Sequence, residues 1–103
     1  MSIRKVGIYH SRDLDGITTG AIMKFKYPDI ELIGYDYGEP LRVIRDAEVI
    51  MADVSLPMDQ MIQMAKQNVS FLWIDHHISA INDFKRVQKP DNMEVVLNSD
   101  FAA

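Results

Sequence analysis

Residues 3–27 read IRKVGIYHSRDLDGITTGAIMKFKY, and this stretch sets the rhythm for the whole chain. Residues 3–9 read as a strand, with Val6 and Ile8 apolar and Gly7 allowing close approach of a neighbour. Polar residues follow from 10 to 15. Residues 16–27 then read as a helix, because Ile17, Ala21, Ile22 and Phe25 recur at helical spacing and Pro28 stops it.

The same strand, loop and helix order repeats onward. Residues 30–35 read as a second strand, 36–40 as a turn and 41–45 as a short helical turn. Residues 47–52 form a third expected strand, ending at Asp53. Ser55 is placed to cap a helix and Pro57 to stand early in it. Met58, Met61, Ile62 and Ala65 line one face of that helix, which runs to about Gln67. Residues 69–74 are nearly all apolar, as in a strand covered on both faces, and end in Asp75-His76-His77. A short helix over 79–84 and a fifth strand over 93–97 complete the pattern. Strands alternating with helices predict a three-layer α/β/α domain with a mainly parallel sheet of about five strands.

Composition bounds what such a domain does. The chain has 103 residues, room for one domain over 1–103, with ordinary globular proportions of apolar and charged residues. No apolar run approaches the roughly 20 residues of a membrane span, and the first residues lack the apolar core of a signal peptide. Cysteine is absent, which excludes disulfides and thiolate metal sites and fits a cytoplasmic location. Eleven basic residues stand against fifteen acidic ones, a net charge of −4, with no cluster of Lys and Arg to grip a nucleic-acid backbone. An acidic chain that binds a phosphate ester needs another source of positive charge, and a metal ion supplies one.

In open α/β sheets ligands bind beyond the carboxyl ends of the strands. Three expected strands end in ionisable residues: the first leads into His10, Asp13 and Asp15, the third into Asp53, and the fourth into Asp75, His76 and His77. All three histidines of the chain lie in these groups. Carboxylates gathered on one edge repel and raise one another's pKa unless a cation neutralises them. Mixed carboxylate and imidazole donors suit Mn, Zn, Fe or Co better than calcium. So many donors have the capacity for two ions, the arrangement of two-metal hydrolases.

These residues also resemble a known family. Asp13-Leu14-Asp15-Gly16 after a first strand, Asp53 after a third and Asp75-His76-His77 after a fourth are similar to the successive motifs of the DHH phosphoesterases, over essentially the whole chain. That family includes manganese-dependent pyrophosphatases, exopolyphosphatases, single-strand exonucleases, oligoribonucleases and cyclic-dinucleotide phosphodiesterases. The resemblance implies two divalent ions, manganese first, with Mg, Co or Zn as the other candidates. His10 and Asp13 resemble ligands of one ion, Asp15 and His76 ligands of the other, and Asp53 a carboxylate bridging both. His77 resembles the residue that contacts the scissile phosphate, and Asp75 the one that orients His76.

The chain departs from the family in two places. His10 precedes Asp13 by two intervening residues where several members have three. The chain also stops at Ala103, before the further bridging aspartate and the C-terminal substrate-binding domain that family members carry. The expectation is therefore a truncated DHH-type domain, with a second copy or a C-terminal partner to cover an exposed edge strand. Two other readings compete: a non-catalytic metal- or nucleotide-binding piece of an assembly, and a receiver-like signalling domain with Asp13, Asp15 and Asp53 as its acidic cluster. A receiver needs a Ser or Thr after the fourth strand and a Lys after the fifth, where this chain has Asp75-His76-His77 and Leu97-Asn98.

Blander roles also fit these residues. Asp13, Asp15 and Gly16 also suit a turn and Asp53 suits helix entry, while Asp36, at the end of the second strand, suits either the same crevice or, better, the turn before Gly38. Arg12 suits either a phosphate contact or an exposed surface. Ser79 and Asn82 suit helix capping. The methionines at 58, 61 and 64, and Trp73, read as core. Tyr35 and Tyr37 have no basic neighbours with which to stack nucleic-acid bases.

Overall fold

The structure is a computed structural model that describes residues 3–12, 14–36, 43–54, 56–75 and 89–97. Its elements are β1 (Arg4–His10), α1 (Leu14–Lys26), β2 (Glu31–Tyr35), β3 (Ala47–Ala52), α2 (Met58–Gln67), β4 (Ser70–Asp75) and β5 (Met93–Leu97). The five strands form one sheet in the order β2-β1-β3-β4-β5, and every neighbouring pair is parallel. The chain first steps outward from β1 to β2, then returns past β1 to β3 and continues to β4 and β5. Parallel crossovers are right-handed, so reversing the direction of travel places the crossover helices on opposite faces.

Side-chain alternation shows that division. Val6 and Ile8, Val49 and Met51, Phe71 and Trp73, and Met93 point to one face. There they form a buried cluster with Met61, Met64 and Ala65 of α2, and Met58 packs against its rim. The buried residues of α2 are spaced i, i+3, i+4, while Asp59, Gln60, Gln63 and Lys66 are exposed. Asp59 lies in the first turn and Lys66 in the last, each matching the sign of the helix dipole at its end.

The other face packs differently. A methyl group on Gly20 would stand 3.0 Å from the Tyr9 ring, and one on Gly7 would stand 3.0 Å from the Met23 sulfur. α1 therefore rests on β1 through Gly16, Gly20 and Met23. Its larger apolar residues lie outside that contact: Ile17 and Ile22 are more than half exposed and Phe25 is 91% exposed. The helical spacing of Ile17, Ala21, Ile22 and Phe25 locates the helix without marking the face that packs.

The N-terminal ends of the strands are closed by hydrogen bonds. Asn68, buried just after α2, accepts from the Ala47 N–H at 3.1 Å and donates to the carbonyls of Ile44 and Met64 at 2.9 and 2.7 Å. Asn92 donates to the carbonyls of Ala65 and Asn68 at 2.6 and 3.0 Å. Lys5 pairs with Glu48 at 2.9 Å and lies over the Tyr27 ring.

Several expectations shift in detail. Of the helical turn expected over 41–45, residues 43–45 carry no helix, with Ile44 buried and its carbonyl accepting from the Asn68 amide, and residues 41–42 lie outside the described residues. Pro57, expected within the helix, is its N-cap, with extended ψ and no side-chain cap; Ser55 lies outside the described residues. The helix expected over 79–84 also lies outside them. β3 and β5 run over the expected residues, while β1 and β4 sit one residue later than expected.

Candidate functional site

Strand order brings the three motif-bearing strands side by side. Tyr9, Ala52 and Ile74 stand in register across β1, β3 and β4. The next residue on each strand path is His10, Asp53 and Asp75. Neighbouring strands lie ~4.8 Å apart, so these three chain positions span roughly 10 Å of one edge. The sheet is parallel, so that edge is its C-terminal edge. The reversal of strand order falls between β1 and β3, where such sheets open a crevice.

His10 closes β1 opposite Tyr35, and the Ser11 N–H continues the pairing to the Tyr35 carbonyl at 2.9 Å. The His10 ring lies 3.2 Å through Nε2 from Oδ1 of Asp36, the first residue after β2. The other carboxylate oxygen of Asp36 meets Nε of Arg12 at 2.9 Å. One carboxylate thus links the end of β1 to the loop that follows it. The side chains of His10 and Asp36 are 16% and 24% exposed, while Arg12 is 75% exposed. The pair is largely removed from water, and Arg12 lies at the rim.

Gly16 sets how closely α1 approaches this point. A methyl group there would collide with the His10 carbonyl oxygen and stand 2.8 Å from the carbonyl carbon. The first turn of α1, which includes Asp15, is therefore pressed against the end of β1. Glycine is required for close approach of backbone to backbone.

Asp53 leaves β3 with φ 61, a left-handed conformation that aspartate tolerates better than most residues. Its N–H donates to the Ile74 carbonyl at 3.0 Å, which extends the pairing with β4 by one residue. The next residue, Val54, is buried, and its carbonyl accepts from the indole N–H of Trp73 at 3.2 Å. Trp73 is core, as its sequence context indicates, and it also anchors the backbone that carries Asp53. Asp53 itself is half-buried.

Of the residues expected to form the site, His10 and Asp53 are described with their side chains and come to one edge on adjacent strands. Asp15 lies in α1 and Asp75 ends β4, with only their backbones described. Asp13, His76 and His77, together with Tyr37, Ser79 and Asn82, lie outside the described residues. Among the described residues no group of three or more His, Cys, Asp or Glu side chains is placed to hold a metal ion. Of the two roles expected for Asp36, turn residue or crevice residue, the turn does not account for its carboxylate, which is engaged by His10 and Arg12. That pairing depends on β2 lying beside β1 in this register, which local sequence does not specify. No described helix is long and apolar enough to cross a membrane. Compared with known protein families, curated proteins and solved structures, the chain matches none.

Proposed function

We propose that this chain is the metal-binding domain of a phosphoesterase similar to the DHH family. In this reading it acts on a phosphodiester or phosphoanhydride of a nucleotide, an oligonucleotide or polyphosphate, through a three-layer DHH-like fold. One observation carries the reading: β1, β3 and β4 are adjacent, and the residues that continue them past one register line are His10, Asp53 and Asp75. Three motifs spread over more than 60 residues of sequence thereby converge on one sheet edge, beside the topological switch point between β1 and β3.

The donor chemistry fits divalent ions of the manganese type, since imidazole and carboxylate combine there. His10, Asp13, Asp15, Asp53 and His76 would hold them. Asp53 sits on the middle strand of the three, a position that suits a carboxylate shared between two ions. Bound ions would supply a water of lowered pKa and neutralise the phosphate oxygens, which an acidic chain otherwise repels. Asp75 would orient His76, and His77 would contact the phosphate. Two of these residues stand on described side chains and the rest on the motif resemblance.

Calorimetric titration with Mn²⁺, run beside hydrolysis of bis-(p-nitrophenyl) phosphate, tests the reading. The wild type should bind, and Asp53→Asn, which tolerates φ 61, should lose at least about tenfold in affinity through removal of a ligand charge. No binding by the wild type would sink the proposal. Binding without turnover would favour a metal-holding piece of an assembly. The strand order 2-1-3-4-5 is shared with receiver domains; Mg²⁺-dependent labelling of Asp53 by acetyl phosphate would favour that second reading.

A further inference from the structure

We propose that α1 is a self-association surface: a second copy of this chain docks on its exposed stripe, antiparallel, about a two-fold axis between Thr19 and Gly20. The inference stands apart from the phosphoesterase reading, and it places the second copy on a helix rather than on an edge strand. Gly16, Gly20 and Met23 turn one side of α1 to β1. The opposite side carries Leu14, Ile17, Thr18, Ala21, Ile22 and Phe25, at i, i+3, i+4, i+7, i+8 and i+11. All six are exposed, Leu14 at 77% and Phe25 at 91%. That spacing is the apolar stripe of a helix packed against another element. Here the stripe faces away from the sheet.

The stripe is self-complementary on reversal. Two large side chains, Leu14 and Ile17, are followed by two small ones, Thr18 and Ala21, and then by two large ones, Ile22 and Phe25. A two-fold axis through the middle sets Phe25 of one copy level with Leu14 of the other and the small pair at the crossing. Small residues there let the helix axes approach to about 8 Å, while the large ends close over the contact. Charge follows the same symmetry. Asp15 stands in the first turn of α1 and Lys26 in the last, and both positions flank the stripe on the side of Ile22. Reversal brings position 15 of each copy near position 26 of the other, so unlike charges and opposite dipole ends meet. A parallel pair would set each charge beside its own kind. Area then sets the strength. The four large side chains, 51–91% exposed, present on the order of 500 Å² per copy, near the top of what a monomer keeps as its largest apolar patch. Two copies would bury about 1,000 Å², the lower bound of a specific interface, which predicts a Kd on the order of 10–100 µM.

Sedimentation velocity over concentrations spanning that Kd, without added metal, tests the association. The wild type should pass from monomer to dimer. Phe25→Gln should weaken the dimer at least about tenfold, as expected for an aromatic anchor, with an unchanged urea midpoint because the ring lies outside the core. Val43→Gln, at an exposed apolar residue away from α1, should dimerise as the wild type does. Disulfide trapping reads the direction, and a chain without cysteine gives a clean background. In the antiparallel pair Ala21 lies close to its own copy near the axis, so Ala21→Cys should form a disulfide dimer on mild oxidation. Leu14 lies about 16 Å along the helix from its own copy, so Leu14→Cys should not, whereas a mixture of Leu14→Cys and Phe25→Cys chains should cross-link to one another. A wild type that stays monomeric overturns the inference, and one that then floats with anionic lipid vesicles assigns the stripe to a membrane surface instead. A Phe25→Gln dimer as strong as the wild type, or Leu14→Cys cross-linking to itself as readily as Ala21→Cys, overturns it equally.

Discussion

The two edges of the sheet are built from similar residues to different ends. β3 enters through Asp46 and leaves through Asp53, both in the left-handed region, at φ 60 and 61. At the N-terminal edge the Asp46 N–H donates to Gln67, while Asn68 and Asn92 close the neighbouring backbone groups into one network. Lys5 and Glu48 neutralise one another there, beside a groove of ≈ 340 Å³ that Tyr27 and Asp91 also line. At the C-terminal edge His10, Asp36 and Arg12 gather ionisable groups on a rim pressed against the start of α1. An edge closed by amide hydrogen bonds and by the Lys5–Glu48 pair reads as support. An edge that brings ionisable groups together along a strand-order switch is where the proposed site would lie.

The largest effect expected from breaking this contrast lies on the supporting side. Asn68→Ala removes the partners of the Ala47 N–H and of the Ile44 and Met64 carbonyls. A buried group left without a partner costs about 1–3 kcal/mol, so the variant should lose on the order of 4 kcal/mol in urea unfolding. The Mn²⁺ affinity of its folded fraction should stay at the wild-type value. A loss below about 1 kcal/mol would mean that water replaces the amide and that this edge is less closed than its hydrogen bonds indicate.

Local patterns carried much of the fold but not its pairings. Strand ends at Asp53 and Asp75 were readable because apolar runs of four residues, 49–52 and 71–74, stop abruptly at a charge. Trp73 and the methionines of α2 were readable as core from their spacing. Asp36 was not readable as a partner of His10, because 26 residues separate them and only the β1–β2 register joins them. Asn68 carried no signal either, since a single amide before a strand resembles a turn residue until α2 and β3 close around it. α1 misleads in a third way. Its packing uses Gly16 and Gly20, which hydrophobic periodicity ignores, while Phe25 supplies the pattern from the exposed side. Glycine within a helix costs roughly 1 kcal/mol against alanine, and at these two positions close approach offsets that cost.

A smaller effect is expected where one side chain serves both the core and the candidate site. Trp73→Phe keeps an aromatic ring but removes the donor to the Val54 carbonyl. The unpaired buried carbonyl and the lost volume should cost about 1–3 kcal/mol. Val54 follows Asp53, so Mn²⁺ binding should also weaken by a few fold as the carboxylate loses its fixed backbone. Lost stability with unchanged affinity would show that the bond from the Asp53 N–H to Ile74 holds Asp53 without help from the indole.

The smallest change in stability gives the sharpest contrast. Asp46→Gly and Asp53→Gly each place glycine where φ is already near 60, so the penalty of a side chain in that region disappears. Glycine also widens the unfolded ensemble and gives up what the aspartate side chain holds, both of which oppose the gain and leave each variant within about 1 kcal/mol of the wild type. The matched pair therefore separates chemistry from folding at the two ends of one strand. Asp46→Gly should bind Mn²⁺ as the wild type does, and Asp53→Gly should lose binding while its urea midpoint hardly moves. Equal Mn²⁺ affinity in the two variants would remove Asp53 from the metal site and leave its left-handed backbone as a feature of strand exit alone.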